Sequence, residues 1–292
     1  MNVTRTIRLL NSDDYSHMED LHTGIEEDYV KHIFHKLVAG PNRLYGLFVN
    51  GKMASIGGYS VFAGRYAMLG RLRTDRRYKG IGFSTALMKH ILNEVLQQKT
   101  IQWIGANTQQ HNRPAQLVIE KTGLSRQITL YGAITGDVSS LTSGAKSWNP
   151  LTDLKQKQAW VDKTYVQPQA FFPLECYYPF PGSADLFPPK KLQQWDFYEN
   201  HAKTRVLILK MDQKKHHYLH VVYPWNDSTS QPGLWETVAQ AYWNLKRQTA
   251  KETYIWTDFT MEEVFHLPPG HRFELPSPWI LYGLKKTNWQ PE

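Results

Sequence analysis

The chain has 292 residues, 41% of them hydrophobic and 21% charged, with a net charge of +8 and a single cysteine, Cys176. Length gives about two domains as a prior and enough chain for a core without staples. The composition excludes wholesale disorder, and one cysteine excludes a disulfide framework or a multi-cysteine zinc site. No apolar run reaches the roughly 18 residues of a membrane span, and Asp13 and Asp14 interrupt the amino-terminal stretch. The expectation is an unexported, cytoplasmic protein with no membrane partner. The positive charge favours an anionic ligand, either nucleic acid or a phosphate-bearing cofactor, without choosing between them.

The first half alternates strands and helices. Residues 3–10 read as a strand, followed by Ser12 as a helix N-cap. Apolar spacings of three and four predict a helix over 25–38. Strands at 44–49 and 53–62 flank Asn50-Gly51, whose positive backbone angles suit a two-residue hairpin. A strand at 66–74 runs into a basic, glycine-bearing turn and then a helix with Phe83, Leu87, Ile91 and Val95 on one face. A strand at 101–108, a helix at 112–121 capped by Gly123 and a strand at 128–134 complete the series.

Residues 137–150 are small and polar, a connector. Aromatic residues and prolines then crowd 148–198, read either as packed irregular chain or as walls of a substrate pocket. Strands at 205–211 and 218–225, a helix around 234–245, and strands at 253–259 and 278–286 follow. Their order repeats that of residues 44–134 and suggests a degenerate structural repeat.

The chemistry concentrates in residues 72–92. A strand ends, Arg77-Tyr78-Lys79-Gly80-Ile81-Gly82 turns, and an amphipathic helix begins. A helix N-terminus carries unpaired N–H groups and the positive end of the macrodipole, which together suit phosphate. Gly80 and Gly82 let a phosphate approach the backbone, and Ser84 and Thr85 add hydroxyls. Arg73, Arg76, Arg77 and Lys79 add attraction for a polyphosphate. Neither a Walker loop nor a dinucleotide fingerprint fits these residues.

Arg77, Gly80 and Gly82 match Arg/Gln-x-x-Gly-x-Gly/Ala, and the segment resembles motif A of the GNAT acyltransferases. Asn112-Arg113-Pro114-Ala115 followed by Glu120-Lys121-Thr122-Gly123-Leu124 resembles motif B of that family. The resemblance covers residues 3–136. It implies an α/β fold with a mixed, mostly antiparallel sheet and flanking helices. It also implies acetyl-CoA, or another acyl-CoA, as acyl donor, and no metal is expected. By resemblance, Arg77, Tyr78, Lys79, Gly80, Ile81, Gly82, Phe83, Ser84 and Thr85 surround the pyrophosphate. Leu72, Arg73 and Thr74 then lie beside the pantetheine arm between splayed strands, with the Leu72 N–H near the thioester oxygen, and Asn112 also meets the arm. The expected division is a GNAT-like acyl-CoA-binding domain at 1–140, a connector at 141–200 and a degenerate GNAT-like domain at 201–292.

The pattern breaks at catalysis. The tyrosine that many family members carry four residues before the motif B glycine is Ile119 here, and residues 66–72 hold no carboxylate. Tyr131 is the nearest candidate acid; Cys176, Tyr177 and Tyr178 are others, and a thiolate can also leave unaided. The lone cysteine has no evident histidine partner, so direct attack by an amine is expected rather than a covalent intermediate. His216, His217 and His220 do not converge from one strand, since 217 faces away from the other two. The turn 224–233 lacks motif A and holds Asp227 where phosphate would sit, so one active site per chain is expected, the second domain shaping the acceptor pocket or forming a homodimer. The leading reading is acetyl transfer from acetyl-CoA to a small-molecule amine, with no nucleic-acid partner. The alternative is a silent acyl-CoA-binding or sensing protein.

Overall fold

The computed structural model describes residues 4–214, 216–249 and 252–289. The chain begins with β1 (Arg5–Leu9), α1 (Tyr15–Glu19), α2 (Tyr29–His32), α3 (Phe34–Leu37), β2 (Asn42–Val49), β3 (Lys52–Phe62), β4 (Tyr66–Thr74) and α4 (Phe83–Gln97). It continues through β5 (Trp103–Gln109), α5 (Arg113–Glu120), β6 (Ser125–Thr135), β7 (Asn149–Leu151), α6 (Leu154–Val161), β8 (Phe171–Glu175), β9 (Tyr178–Pro181) and α7 (Pro189–Gln194). It ends with β10 (Asp196–Glu199), β11 (Val206–Gln213), β12 (His217–Val222), α8 (Leu234–Gln248), β13 (Thr253–Phe259), α9 (Met261–Phe265) and β14 (Trp279–Lys285).

Two compact units result, one from Met1–Ile128 and Ile280–Glu292, the other from Thr129–Trp279. The divisions suggested by composition, near 140 and 200, both fall inside the second unit, and the last strand belongs to the first. Hydrogen bonding sets that membership. β14 lies between β5 and β6, and the Ser125 and Gln127 side chains donate to the Gly283 carbonyl.

In the first unit the strands run β1-β2-β3-β4-β5-β14-β6. β1–β2, β2–β3 and β3–β4 are antiparallel, and β4–β5 is parallel, bridged by α4. Asn50 (φ 49°) and Gly51 (φ 79°) make the tight β2–β3 turn. The buried face of α4, including Leu87, Ile91 and Val95, packs against Leu47, Tyr59, Leu69 and Ile104 of the sheet. Two expectations shift locally. Asn11, not Ser12, caps the first helical turn, its side chain accepting from the Asp13 amide. The stripe at 25–38 breaks into α2 and α3 at Ile33, whose backbone leaves helical angles (φ −109°, ψ 16°), and Asp28 caps the first piece by accepting from the Val30 amide.

In the second unit, residues 131–135 of β6 begin the order β6-β13-β12-β11-β10-β7, parallel only at β12–β13, and β8–β9 form a separate hairpin. The aromatic segment is built of regular elements. Tyr165, Phe172, Phe180, Phe187 and Phe197 are buried, so these rings serve as core. Among the described residues no helix is long and apolar enough to cross a membrane.

Candidate active site

β4 and β5 pair only from Tyr66↔Trp103 to Leu69↔Ala106, although β4 continues to Thr74 and β5 to Gln109. Beyond that register the pairing ends, so among the described residues the edge of β4 from Gly70 to Thr74 has no strand paired on its β5 side. On the other side the ladder to β3 slips. Ile56 faces Arg73 and Gly58 faces Gly70, leaving Arg71 and Leu72 opposite Gly57. Arg71 sits at φ 59°, a left-handed conformation costly for a residue with a side chain, here imposed by the bulge.

The turn after β4 is the second component. Gly80 (φ 80°) and Gly82 (φ 87°) adopt left-handed angles, and a methyl group built on either would meet no atom within 4 Å. Gly82 caps α4 without any side-chain partner. Among the described residues, the amides from Gly80 to Thr85 find no acceptor, and the first amide engaged is that of Ala86, on the Gly82 carbonyl. A row of free N–H groups at the positive end of a 15-residue helix is an anion cradle.

Asp75 holds this turn in place. It is buried and accepts from the amides of His22 and Arg77 at 3.0 and 2.9 Å and from the Arg77 guanidinium at 2.9 and 2.7 Å. The Arg77 fork, with those amides, holds the Asp75 carboxyl well below the usual carboxylate range. Arg73 likewise makes a two-pronged pair with buried Asp28, at 2.7 and 2.9 Å. This corrects the expected field of four cations, because Arg73 and Arg77 are neutralised by their partners. Arg76 and Lys79 are exposed, and neither forms an ion pair among the described residues. If the turn holds the coenzyme A that the motif resemblance implies, replacing either with alanine is expected to weaken its binding roughly 1.5- to 5-fold, the usual scale for exposed charges. Calorimetric titrations at low and high salt check this; an effect that does not shrink with salt would contradict it.

The other expected residues are distributed as follows. Thr74 Oγ1 lies 2.9 Å from Ser55 Oγ and 2.7 Å from Ser84 Oγ, so the Ser84 hydroxyl joins strand to helix rather than facing outward alone. The Tyr78 and Phe83 rings meet tilted, 5.7 Å apart, and anchor the turn to the core, while Ile81 is exposed. Leu72 packs against the same core. Asn112 uses its side-chain oxygen to cap α5, accepting from Ala115 at 3.3 Å. Ile119 is buried in the core and offers no proton. Tyr131 belongs to the second unit, where its hydroxyl donates to the Met261 sulfur at 3.4 Å. Asp28, Ser55 and Asp75 belong to neither motif; Asp75 stands two residues before Arg77, whereas the partners of Asp28 and Ser55 lie far along the chain.

Within the second unit, α8 also follows a β-strand and begins at a left-handed glycine, Gly233 (φ 80°). Here the space is filled: a methyl group on Gly233 would meet the Lys146 carbonyl oxygen at 2.2 Å. Glu236 accepts from the Ser143 and Ala145 amides, and Asp227 is engaged by Arg205, Tyr223 and Gln231. Cys176 is buried in this unit, and burial beside Asp212 and Asp258 pushes its thiol well up, away from nucleophile chemistry.

Residues 6–124 match the acetyltransferase (GNAT) family. No curated protein matches the chain in sequence. Among solved structures, a GCN5-related N-acetyltransferase from Sphaerobacter thermophilus superposes with a TM-score of 0.59 at 12% identity, covering 97% of this chain and 96% of its own. A candidate acetyltransferase from Thermoplasma acidophilum gives 0.51 at 16% identity, with 94% and 89% covered. The bulged β4, its parting from β5, the open glycine turn and the family match agree. The amino-terminal part of this chain, residues 6–124, is a GNAT-family acetyltransferase domain.

Proposed function

We propose that the first unit binds acetyl-CoA and transfers its acetyl group to a primary amine of a small molecule. The observation that carries this is the row of unpaired amides from Gly80 to Thr85 beside open space. The pyrophosphate lies on those amides, with Arg77 and Tyr78 contributing main chain and Lys79 its charge. The pantetheine arm takes the edge of β4 left free at Leu72, Arg73 and Thr74, with Asn112 on its other side. The amine nitrogen attacks the thioester carbonyl, the C–S bond breaks, and the coenzyme A thiolate departs as the ammonium loses a proton. A Leu72 N–H aimed at the developing oxyanion stabilises the tetrahedral intermediate.

The second unit serves as a GNAT-like domain without cofactor, since the turn before α8 is filled by residues 143–148. Tyr131, the acid expected from the sequence, belongs to the second unit, where it donates to Met261, so no protein acid is assigned to the leaving thiolate and it departs unaided. One observation favours a second reading, a protein that binds acyl-CoA without turnover: Ile119 stands buried where a tyrosine is usual, and residues 66–72 hold no carboxylate. Thiol release from acetyl-CoA across a panel of amines separates the two, because amine-dependent turnover supports transfer and tight binding with no turnover supports sensing.

A further inference from the structure

The second unit holds a buried polar cluster that acyl transfer does not use. The Cys176 sulfur, a carboxylate oxygen of Asp212 and a ring nitrogen of His220 all lie within 4.8 Å of one another. Cys176 occupies the turn between β8 and β9, Asp212 is on β11 and His220 is on β12. Three separate segments therefore deliver these groups to one point, which the spacing of the histidines alone did not suggest. His216 is drawn off to Glu252 at 3.0 Å, so only His220 turns into the cluster.

The His220 ring is fixed from one side. Its Nε2 lies 3.0 Å from Asp258 Oδ2, and an ionised carboxylate only accepts, so Nε2 carries the hydrogen. Nδ1 is then a bare lone pair. It is fully buried and has no hydrogen-bond partner among the described residues. Buried polar atoms are rarely left unsatisfied, and such an orphan asks for a ligand. Carboxylate to imidazole to ion is also how metal-binding histidines are commonly oriented.

We propose that Cys176 Sγ, Asp212 and His220 Nδ1 bind one zinc ion, with Asp258 orienting the imidazole from its far nitrogen. A thiolate, an imidazole and a carboxylate form a mixed donor set that suits zinc and disfavours calcium or magnesium. Binding releases the thiol proton to solvent, so thiolate and carboxylate balance the dication. The buried cation facing the cluster, Lys210, turns its ammonium onto the carbonyl oxygens of Pro173 and Leu174. A cavity of about 460 Å³, lined by Leu174, Trp195, Lys210, Asp212 and His220, reaches two of the three proposed ligands. The ion ties the β8–β9 turn to β11 and β12, adding to the bond from the Cys176 amide to Asp212 at 2.7 Å and to the Lys210 bonds with Pro173 and Leu174.

The test is titration of the chelator-treated full-length protein with Co²⁺, followed by displacement with Zn²⁺. The expected result is about one Co²⁺ per chain with a thiolate-to-cobalt charge-transfer band. With one cysteine in the chain, that band reports Cys176 alone. Cys176→Ser should abolish the band, and His220→Gln and Asp212→Asn should weaken binding. Asp258→Asn, which removes no ligand, should lower zinc affinity about 10–100-fold. Circular dichroism establishes that each variant is folded. A folded wild type with no charge-transfer band overturns the proposal, as does a band of unchanged affinity in His220→Gln. None of these readouts depends on acetyl-CoA.

Discussion

Gly82→Val is expected to weaken coenzyme A binding by about 10²–10⁴-fold while leaving the fold intact. Gly82 sits at φ 87° with nothing within 4 Å of a Cβ position, so a side chain meets no protein atom and projects into the open side of the turn. There it would displace the pyrophosphate that the proposed function sets on the free amides. Losing two hydrogen bonds to a charged group, at about 1.5–3 kcal/mol each, gives that range. The substitution also forces a β-branched residue into left-handed space at a cost of about 1–2 kcal/mol, which lowers Tm by a few degrees. Gly64→Val is the matched control. Gly64 has φ 68° and equally open surroundings, but it lies in the turn between β3 and β4. Strain is similar there, and coenzyme A affinity should not change. Calorimetric titration of both variants decides the matter, and equal affinity of Gly82→Val and wild type would remove the phosphate-cradle assignment.

Asp75→Asn is expected to lower Tm by roughly 6–12 °C and to weaken coenzyme A binding as the turn loosens. Asp75 is buried and accepts from two backbone amides and from both prongs of Arg77. An asparagine keeps the shape but sets an NH₂ group against donors, leaving buried N–H groups unpaired. That costs about 3 kcal/mol, and in a chain of this size each kcal/mol moves Tm about 2–4 °C. The pH dependence carries its own sign. Folding lowers the Asp75 pKa, so its contribution is fully present above the unfolded value of about 3.9 and is lost as pH falls through the folded value. The Tm gap between wild type and variant should be constant from pH 5 to 8 and should shrink below about pH 4. Thermal melts across that range test it, and a gap that widened in acid would show that Asp75 does not hold the turn as a carboxylate.

These two residues also show how much the sequence disclosed. Gly80 and Gly82 were legible because their role is local: the turn, the positive φ and the helix start all lie within ten residues. The same holds for Asn50-Gly51 and for the apolar face of α4. Asp75 sits inside that window, yet its meaning depends on the His22 amide, 53 residues away. The neutralisation of Arg73 by Asp28 spans 45 residues and turns an apparent source of attraction for a polyphosphate into one half of an internal pair.

By itself, then, the sequence determined the alternation of strands and helices in the first unit, the two-residue hairpin, and the glycine turn opening onto a helix N-terminus, because each follows from backbone preferences and periodicity over short spans. Tertiary structure alone decided where β4 parts from β5, that β14 returns to the first unit, that residues 143–148 fill the turn before α8, and that Cys176, Asp212 and His220 meet. Each of these depends on which distant backbone groups pair across a sheet, and no local run of residues encodes that choice.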